Sequence, residues 1–413
     1  VKILFFANTE WYLYNFRLAL ARYLRDQGHE VVMLSPPGPY VARLQAAGFR
    51  VLTIPMQRRS LNLLRELALF HPIRQIYAQE HPDLAHHFTL KCVVYGGLAA
   101  RLTGGIARIH AVTGLGHVFT SDSVTARLLR SLVRAGLLLA LGGANSRLIV
   151  QNPDDLANFK RHRLIKTSHI RLIRGSGVDT ERFQPINHQP PHSNPPPRGG
   201  KELDGSPPPP GRKGLNDSSS LRPSRERGLE SLKILLASRL LWEKGIGEYV
   251  AAARQLRQEG IAAEFLLAGD PDPGNPASIP PEQLDCWRQD GDVTLLGHVN
   301  DMPALLAQID IAVLPSYREG TPRSLLEAAA CGLPLITTDA PGCREIVEHE
   351  VNGLLVPIKD ASALAAAIHR LCHESETRQR MGQASRTKVL AEFDERIVFA
   401  RTLAVYGELL STG

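Results

Sequence analysis

The sequence predicts an α/β protein of two doubly wound, Rossmann-like domains with parallel sheets. Apolar runs of strand length alternate with helix-length amphipathic segments from end to end. The strand runs are apolar at nearly every position, as parallel strands covered on both faces require. A stretch at 187–231 carries ten prolines and little apolar content, and it divides the chain into two pieces of ordinary domain size.

In the first piece, strands are expected at 2–8, 30–35, 50–55, 84–88, 107–112, 147–151 and 170–173. A helix over Phe16–Gln27 should end at Gly28, where positive φ carries no steric cost. In the second piece, strands fit 233–238, 264–269, 293–297, 311–315, 333–338 and 353–356. The expected organisation is a domain at 1–186, a disordered or polyproline-like linker at 187–231, and a domain at 232–390. A C-terminal helix at 391–413 would cross back to the first domain. Ligands of such folds sit beyond the carboxyl ends of the strands, here in a cleft between the domains.

The 413 residues carry 48 basic and 41 acidic side chains, a net +7 that hides its distribution. Residues 1–186 hold 24 basic and 11 acidic side chains, a net +13, whereas residues 232–413 hold 17 and 25, a net −8. Opposite signs suggest different partners for the two halves. Five scattered cysteines with no CxxC spacing make neither a disulfide framework nor a zinc site. The opening apolar run is too short for a signal peptide, and the run Ala135 to Ala144 is about half the length of a membrane span. An intracellular protein, free or on a membrane surface, is expected.

The chemistry concentrates in the second half. KILLAS runs into RLLWEKGIGEYV, which places Arg239 and Lys244 in a strand-to-helix turn, one cation fork-shaped and one point-like, suited to a diphosphate. Downstream, IAVLPSYREGTPRSLLEAAACGLP ends a strand at Pro315. Thr321 should cap a new helix, with Pro322 as its first residue. The free N–H groups of that helix start form an anion site. Glu319 just before the helix and Glu327 inside it suit hydrogen bonds to sugar or ribose hydroxyls.

The spacing Glu319-x7-Glu327, preceded by Arg239-x4-Lys244-Gly245, resembles glycosyltransferase family 4, retaining enzymes of the GT-B fold. RLIRGSGVDTERFQP resembles that family's interdomain strand and turn. HHFTLKCVVYGGLAARLTG, VTGLGHVF and IVQNPDDLANF resemble the bacterial subgroup that extends lipid-linked surface glycans. The resemblance implies a nucleotide-sugar donor, a UDP-sugar, and a lipid-linked or saccharide acceptor, with no metal and no other cofactor. Arg239 and Lys244 would hold the donor diphosphate, and Glu327 the ribose. Glu319 would face the donor sugar, Gly320 and Thr321 would offer backbone N–H groups, and Val299 would contact the base through its backbone.

The chain also departs from the family. TEWYLYNF (9–16) replaces the usual Gly-Gly turn, leaving Asn15 as the acceptor contact from that segment. Thr113 and Gly114 stand where relatives carry a histidine, so His87, at the end of the preceding strand, is the substitute catalytic group; His86 points to the opposite face. Asp270-Pro-Asp272 and Asp290-Gly-Asp292 read as chance strings in loops. Arg127, Arg130 and Arg134 share one helix face beside leucines. With the +13 domain they suggest docking on an anionic membrane, at the cytoplasmic face of the plasma membrane. No nucleic-acid module is recognisable. The alternatives are a GT-B sugar-nucleotide epimerase or phosphorylase, or a catalytically silent scaffold subunit of a glycan-assembly complex.

Overall fold

The computed structural model describes residues 1–57, 68–112, 124–185 and 231–410. The proline-rich stretch up to residue 230, Thr113 and Gly114, and the side chains of Arg127 and Arg130 lie outside the described residues.

Two parallel sheets carry the fold. The first holds β1 (Lys2–Phe6), β2 (Glu30–Ser35), β3 (Arg50–Thr53), β4 (Leu84–Phe88), β5 (Ala107–Val112), β6 (Ser146–Val150) and β7 (Ile170–Leu172). Their order is β3-β2-β1-β4-β5-β6-β7, with Phe5 of β1 paired to Met33 on one side and His86 on the other. The second holds β8 (Leu232–Ala237), β9 (Ala263–Ala268), β10 (Thr294–Gly297), β11 (Ile311–Leu314), β12 (Leu335–Thr338) and β13 (Gly353–Val356) in the order β10-β9-β8-β11-β12-β13. In each sheet the direction of winding reverses once, between β1 and β4 and between β8 and β11. Doubly wound folds bind ligands at those switch points. The central strands are buried on both faces, which is why their sequences do not alternate.

The expected helix over Phe16–Gln27 begins earlier. Thr9 Oγ1 accepts from Tyr12 N at 3.2 Å, starting a helical turn at Glu10–Tyr12. A π-helical stretch, Leu13–Arg17, joins it to the α-helix Leu18–Asp26, and Gly28 follows with φ 84°. The segment TEWYLYNF is therefore helical, because Thr9 supplies the cap that aromatic residues of indifferent helix propensity need.

After β13 come the helices Ala361–His373 and Ser375–Glu392, and then the helix Glu395–Leu410 packs on the first sheet. Phe399, Val405, Tyr406 and Leu409 enter the same core as Ile3 and Phe5. Tyr406 Oη lies 2.5 Å from His86 Nδ1, and Glu408 accepts from Arg147 at 2.8 Å and Arg171 at 2.7 Å. All five cysteines are free thiols. Among the described residues no helix is long and apolar enough to cross a membrane.

Candidate active site

A cleft of about 460 Å³ opens at the carboxyl ends of β8, β9 and β10, with Thr9 and Trp11 of the first domain on its far wall. Arg239 stands two residues beyond β8. Its Nη1 donates to Asp272 Oδ2 at 2.7 Å, while 42% of the side chain stays exposed. Asp272 is itself fixed by its loop, accepting from Asn275 Nδ2 at 3.1 Å. A guanidinium has five N–H donors, so Arg239 can keep Asp272 and still offer donors to an anion.

Lys244 ends a 3₁₀ turn, Trp242–Lys244, and Gly245 follows at φ 71°. A Cβ on Gly245 would fall 2.1 Å from the Pro315 carbonyl oxygen, so only glycine lets this turn press against the end of β11. The loops after β8 and β11 are tied together by Tyr317 N donating to Glu243 O at 2.9 Å and by Ser316 Oγ donating to Glu243 O at 3.1 Å. Lys244 Nζ consequently lies 2.5 Å from Glu319 Oε1, with both side chains largely buried. The ammonium keeps further N–H groups for a ligand oxygen.

The helix expected from Thr321 starts later, at Arg323, with Pro322 in the cap position and no side chain capping it. Thr321 cannot serve as the cap because its side chain turns to Gly175 of the interdomain segment, where its hydroxyl has no partner among the described residues. The N–H groups of Arg323, Ser324 and Leu325 are left without intrahelical acceptors, and Ser324 lines the cleft. Such a helix start favours an anion. Glu327, one turn on, pairs with Arg323 Nε at 2.8 Å; burial pushes its carboxyl pKa up, opposed by that arginine. It borders a void of about 10 Å³ behind the cleft wall, sharing Ala237, Met302 and Ser324 with the cleft itself.

The structure therefore gathers Arg239, Lys244, Glu319, Gly320, Val299 and Glu327 at one end of the second sheet. Val299 lines the cleft beside His298. Two residues are placed differently from the sequence expectation. His87 is fully buried, its Nε2 2.8 Å from Tyr77 Oη and its Nδ1 3.2 Å from His110 Nδ1. Burial, with the nearby Arg108 charge adding to it, lowers its pKa to about 3, so it is a neutral core residue and not a group of the cleft. Asn15 donates its amide back to Trp11 O at 2.9 Å, and it is Trp11 that reaches the cleft. The sequence reading missed Trp11, Ser238 and the Asp270–Asp272 loop. An aromatic just after an N-cap, and two aspartates just after a buried strand, were the available signals. Asp290 and Asp292, by contrast, lie outside the cleft lining, Asp290 pairing with Arg254 and Asp292 with Arg254 and Arg257. Among the described residues no histidine, cysteine and carboxylate group clusters to hold a metal ion.

Two glycosyltransferase descriptions fit this chain, "Glycosyl transferases group 1" over residues 231–374 and "Glycosyl transferase 4-like" over residues 2–149. The chain belongs to the family 4-like glycosyltransferases. One relative of this glycosyltransferase is the N,N'-diacetylbacillosaminyl-diphospho-undecaprenol alpha-1,3-N-acetylgalactosaminyltransferase of Campylobacter jejuni, 28% identical over 99% of both chains. Among solved structures, a sucrose-phosphate synthase from Thermosynechococcus elongatus superposes with a TM-score of 0.75 at 20% identity, over 100% of both chains. Anabaena HepE in complex with UDP-glucose gives 0.73 at 20% identity, over 98% of this glycosyltransferase and 99% of that chain. The shared architecture is the GT-B fold, two Rossmann-like domains with a cleft between them.

Proposed function

We propose that this glycosyltransferase moves a sugar, with retention at the anomeric carbon, from a UDP-sugar to a lipid-linked saccharide during assembly of a surface glycan. The observation that carries the reading is the gathering of Arg239, the Lys244–Glu319 pair and an uncapped helix start at the carboxyl end of the second sheet, with Arg239 and Ser324 of that helix start lining the cleft. The donor diphosphate would lie across Arg239 and Lys244. As the glycosidic bond breaks, negative charge grows on the departing diphosphate, and fixed cations stabilise that state more than the ground state. Glu327 would take the ribose hydroxyls and Val299 the base, with Glu319 beside the donor sugar. These cations can neutralise the diphosphate without a metal, and turnover in excess chelator is the expected behaviour.

The donor class is supported by HepE, solved with UDP-glucose, and the acceptor class by the Campylobacter relative, named for a diphospho-undecaprenol substrate. A lipid-linked acceptor would bring the enzyme to the cytoplasmic face of the plasma membrane. The +13 charge of residues 1–186 and the exposed Arg134, Leu138 and Leu139 on one helix suit that surface.

The test is release of nucleoside diphosphate from a panel of sugar nucleotides, with and without membranes bearing polyprenyl-diphosphate-linked saccharides. One UDP-sugar should be consumed, faster with acceptor present. Failure of every donor to bind or turn over would sink the reading.

A further inference from the structure

The loop that carries Glu319 is gripped at both ends by the opposite domain. At one end, Arg318 Nη2 donates to Asp155 Oδ1 at 2.5 Å. Asp155 is completely buried, in the first turn of the helix Pro153–Arg161 of the first domain. Asn152 caps that helix, its Oδ1 accepting from Asp155 N at 2.8 Å. Its amide donates to Asp155 Oδ2 at 3.0 Å and lies 3.5 and 3.4 Å from the carbonyl oxygens of Glu319 and Gly320. At the other end, Arg323 donates to the backbone carbonyl of Asn15 while holding Glu327, and its guanidinium sits 5.8 Å over the Phe16 ring.

We propose that Arg318 and Asp155, supported by Asn152 and the Arg323–Asn15 contact, form an interdomain latch that positions the Glu319 loop. This rests on the functional reading above and adds to it that the reacting geometry is completed only when the domains meet. The physical argument concerns where the rigidity comes from. Glu319 N is held within its own domain by Pro341 O at 2.9 Å, but the peptide groups after it face Asn152 of the other domain. A buried carboxylate needs a partner, and the charged partner that Arg318 supplies comes from across the cleft. The pair can form only in the closed arrangement, so closure and alignment of Glu319 are one event. Nucleotide binding involves Arg239, Val299 and the helix start, all in the second domain, and does not require the latch.

The experiment compares the full chain with Asp155→Asn, Arg318→Gln and the double variant. Expected is a fall in kcat on the order of 10–100-fold for each single variant, the loss expected from misplacing a reacting group by about an ångström. The double variant should be no slower than the worse single variant, since both break one contact. UDP affinity by calorimetry should stay within about threefold of the parent throughout, a tenfold change corresponding to about 1.4 kcal/mol. Unchanged kcat in Asp155→Asn, additive losses in the double variant, or a loss residing wholly in UDP affinity would overturn the latch. Small-angle scattering gives a readout independent of activity. Both single variants should show a larger radius of gyration than the parent, and an unchanged radius would reject the latch. If the parent itself binds no UDP and uses no donor, the functional reading fails, while scattering still decides the latch.

Discussion

The side chains proposed to carry the chemistry were legible in the sequence because each is fixed by its neighbours in the chain. Arg239 and Lys244 bracket a short turn after β8, and Glu319 and Glu327 bracket a helix start after β11. Replacing Lys244 with alanine should reduce turnover by ~10²–10³-fold, the usual cost of losing one group that stabilises transition-state charge. The circular dichroism spectrum should stay that of the parent, because the turn that carries Lys244 is held by the close approach of Gly245 to Pro315 and by the bonds from Tyr317 and Ser316 to Glu243 O, not by the ammonium. Wild-type rates in that variant would remove Lys244 from the mechanism. Gly245 makes a separate demand on the same turn. An alanine there would meet the Pro315 carbonyl at 2.1 Å with φ at 71°, so Gly245→Ala should cost at least ~2 kcal/mol in urea denaturation. A cost under ~0.5 kcal/mol would mean that the turn relaxes freely. His87 was not legible in the same way. What decides its role is Tyr77, ten residues before it, and His110, 23 residues after, and neither contact leaves a mark on local sequence.

Among the elements, the strands were legible because double burial makes them continuous apolar runs, and the helix starts were less so. The helix after β11 was expected one residue too early because Thr321 is a good cap in isolation, whereas the interdomain turn at Gly175 claims its side chain. The helix after β1 was expected too late because its first turns, Glu10–Arg17, are aromatic-rich and partly π-helical, which blurs the 3.6-residue period. The last helix, Glu395–Leu410, shows how far an element's stability can lie from its neighbours in sequence. Tyr406 Oη pairs with His86 Nδ1, and both residues are buried, while His86 Nε2 already has no partner among the described residues. Tyr406→Phe should therefore lower stability by about 1–3 kcal/mol, measured by urea titration. Turnover in that variant should remain near that of the parent, since the pair is not in the cleft. A neutral effect on stability would show that the hydroxyl contributes nothing to docking this helix on the first sheet.

For the whole molecule, the opposed charges of the two halves were visible in composition, but the contacts joining them were not. Asp155 and Arg318 lie 163 residues apart, and their pairing exists only because the helix after β6 and the loop after β11 meet across the cleft. The same long-range assembly sets how stability responds to pH. His86, His87 and His110 are fully buried, and burial holds all three well below the ordinary histidine pKa of 6.5, for His87 at about 3. The folded chain therefore binds fewer protons than the unfolded chain in acid. The stability they contribute is complete above pH 6.5 and drains as pH falls, by up to ~1.4 kcal/mol per pH unit for each imidazole. Glu395 acts in the opposite sense. Burial, aided by the nearby charges of Asp179 and Asp394 and opposed by Arg323 and Arg396, raises its pKa from 4.5 to about 7. Its contribution is complete below pH 4.5 and is lost as pH rises through 7. Between pH 7 and pH 5 the three histidines should outweigh Glu395 and the other upward-shifted carboxyls, among them Glu327, so the urea midpoint of the parent should fall on acidification. Glu395→Gln removes one opposing group and should steepen that fall by about 1–2 kcal/mol, allowing for the partial exposure of Glu395 to solvent. Equal falls in the two proteins would show that Glu395 does not titrate in this window, and a parent midpoint that rises in acid would show that the histidine core is not what limits stability there.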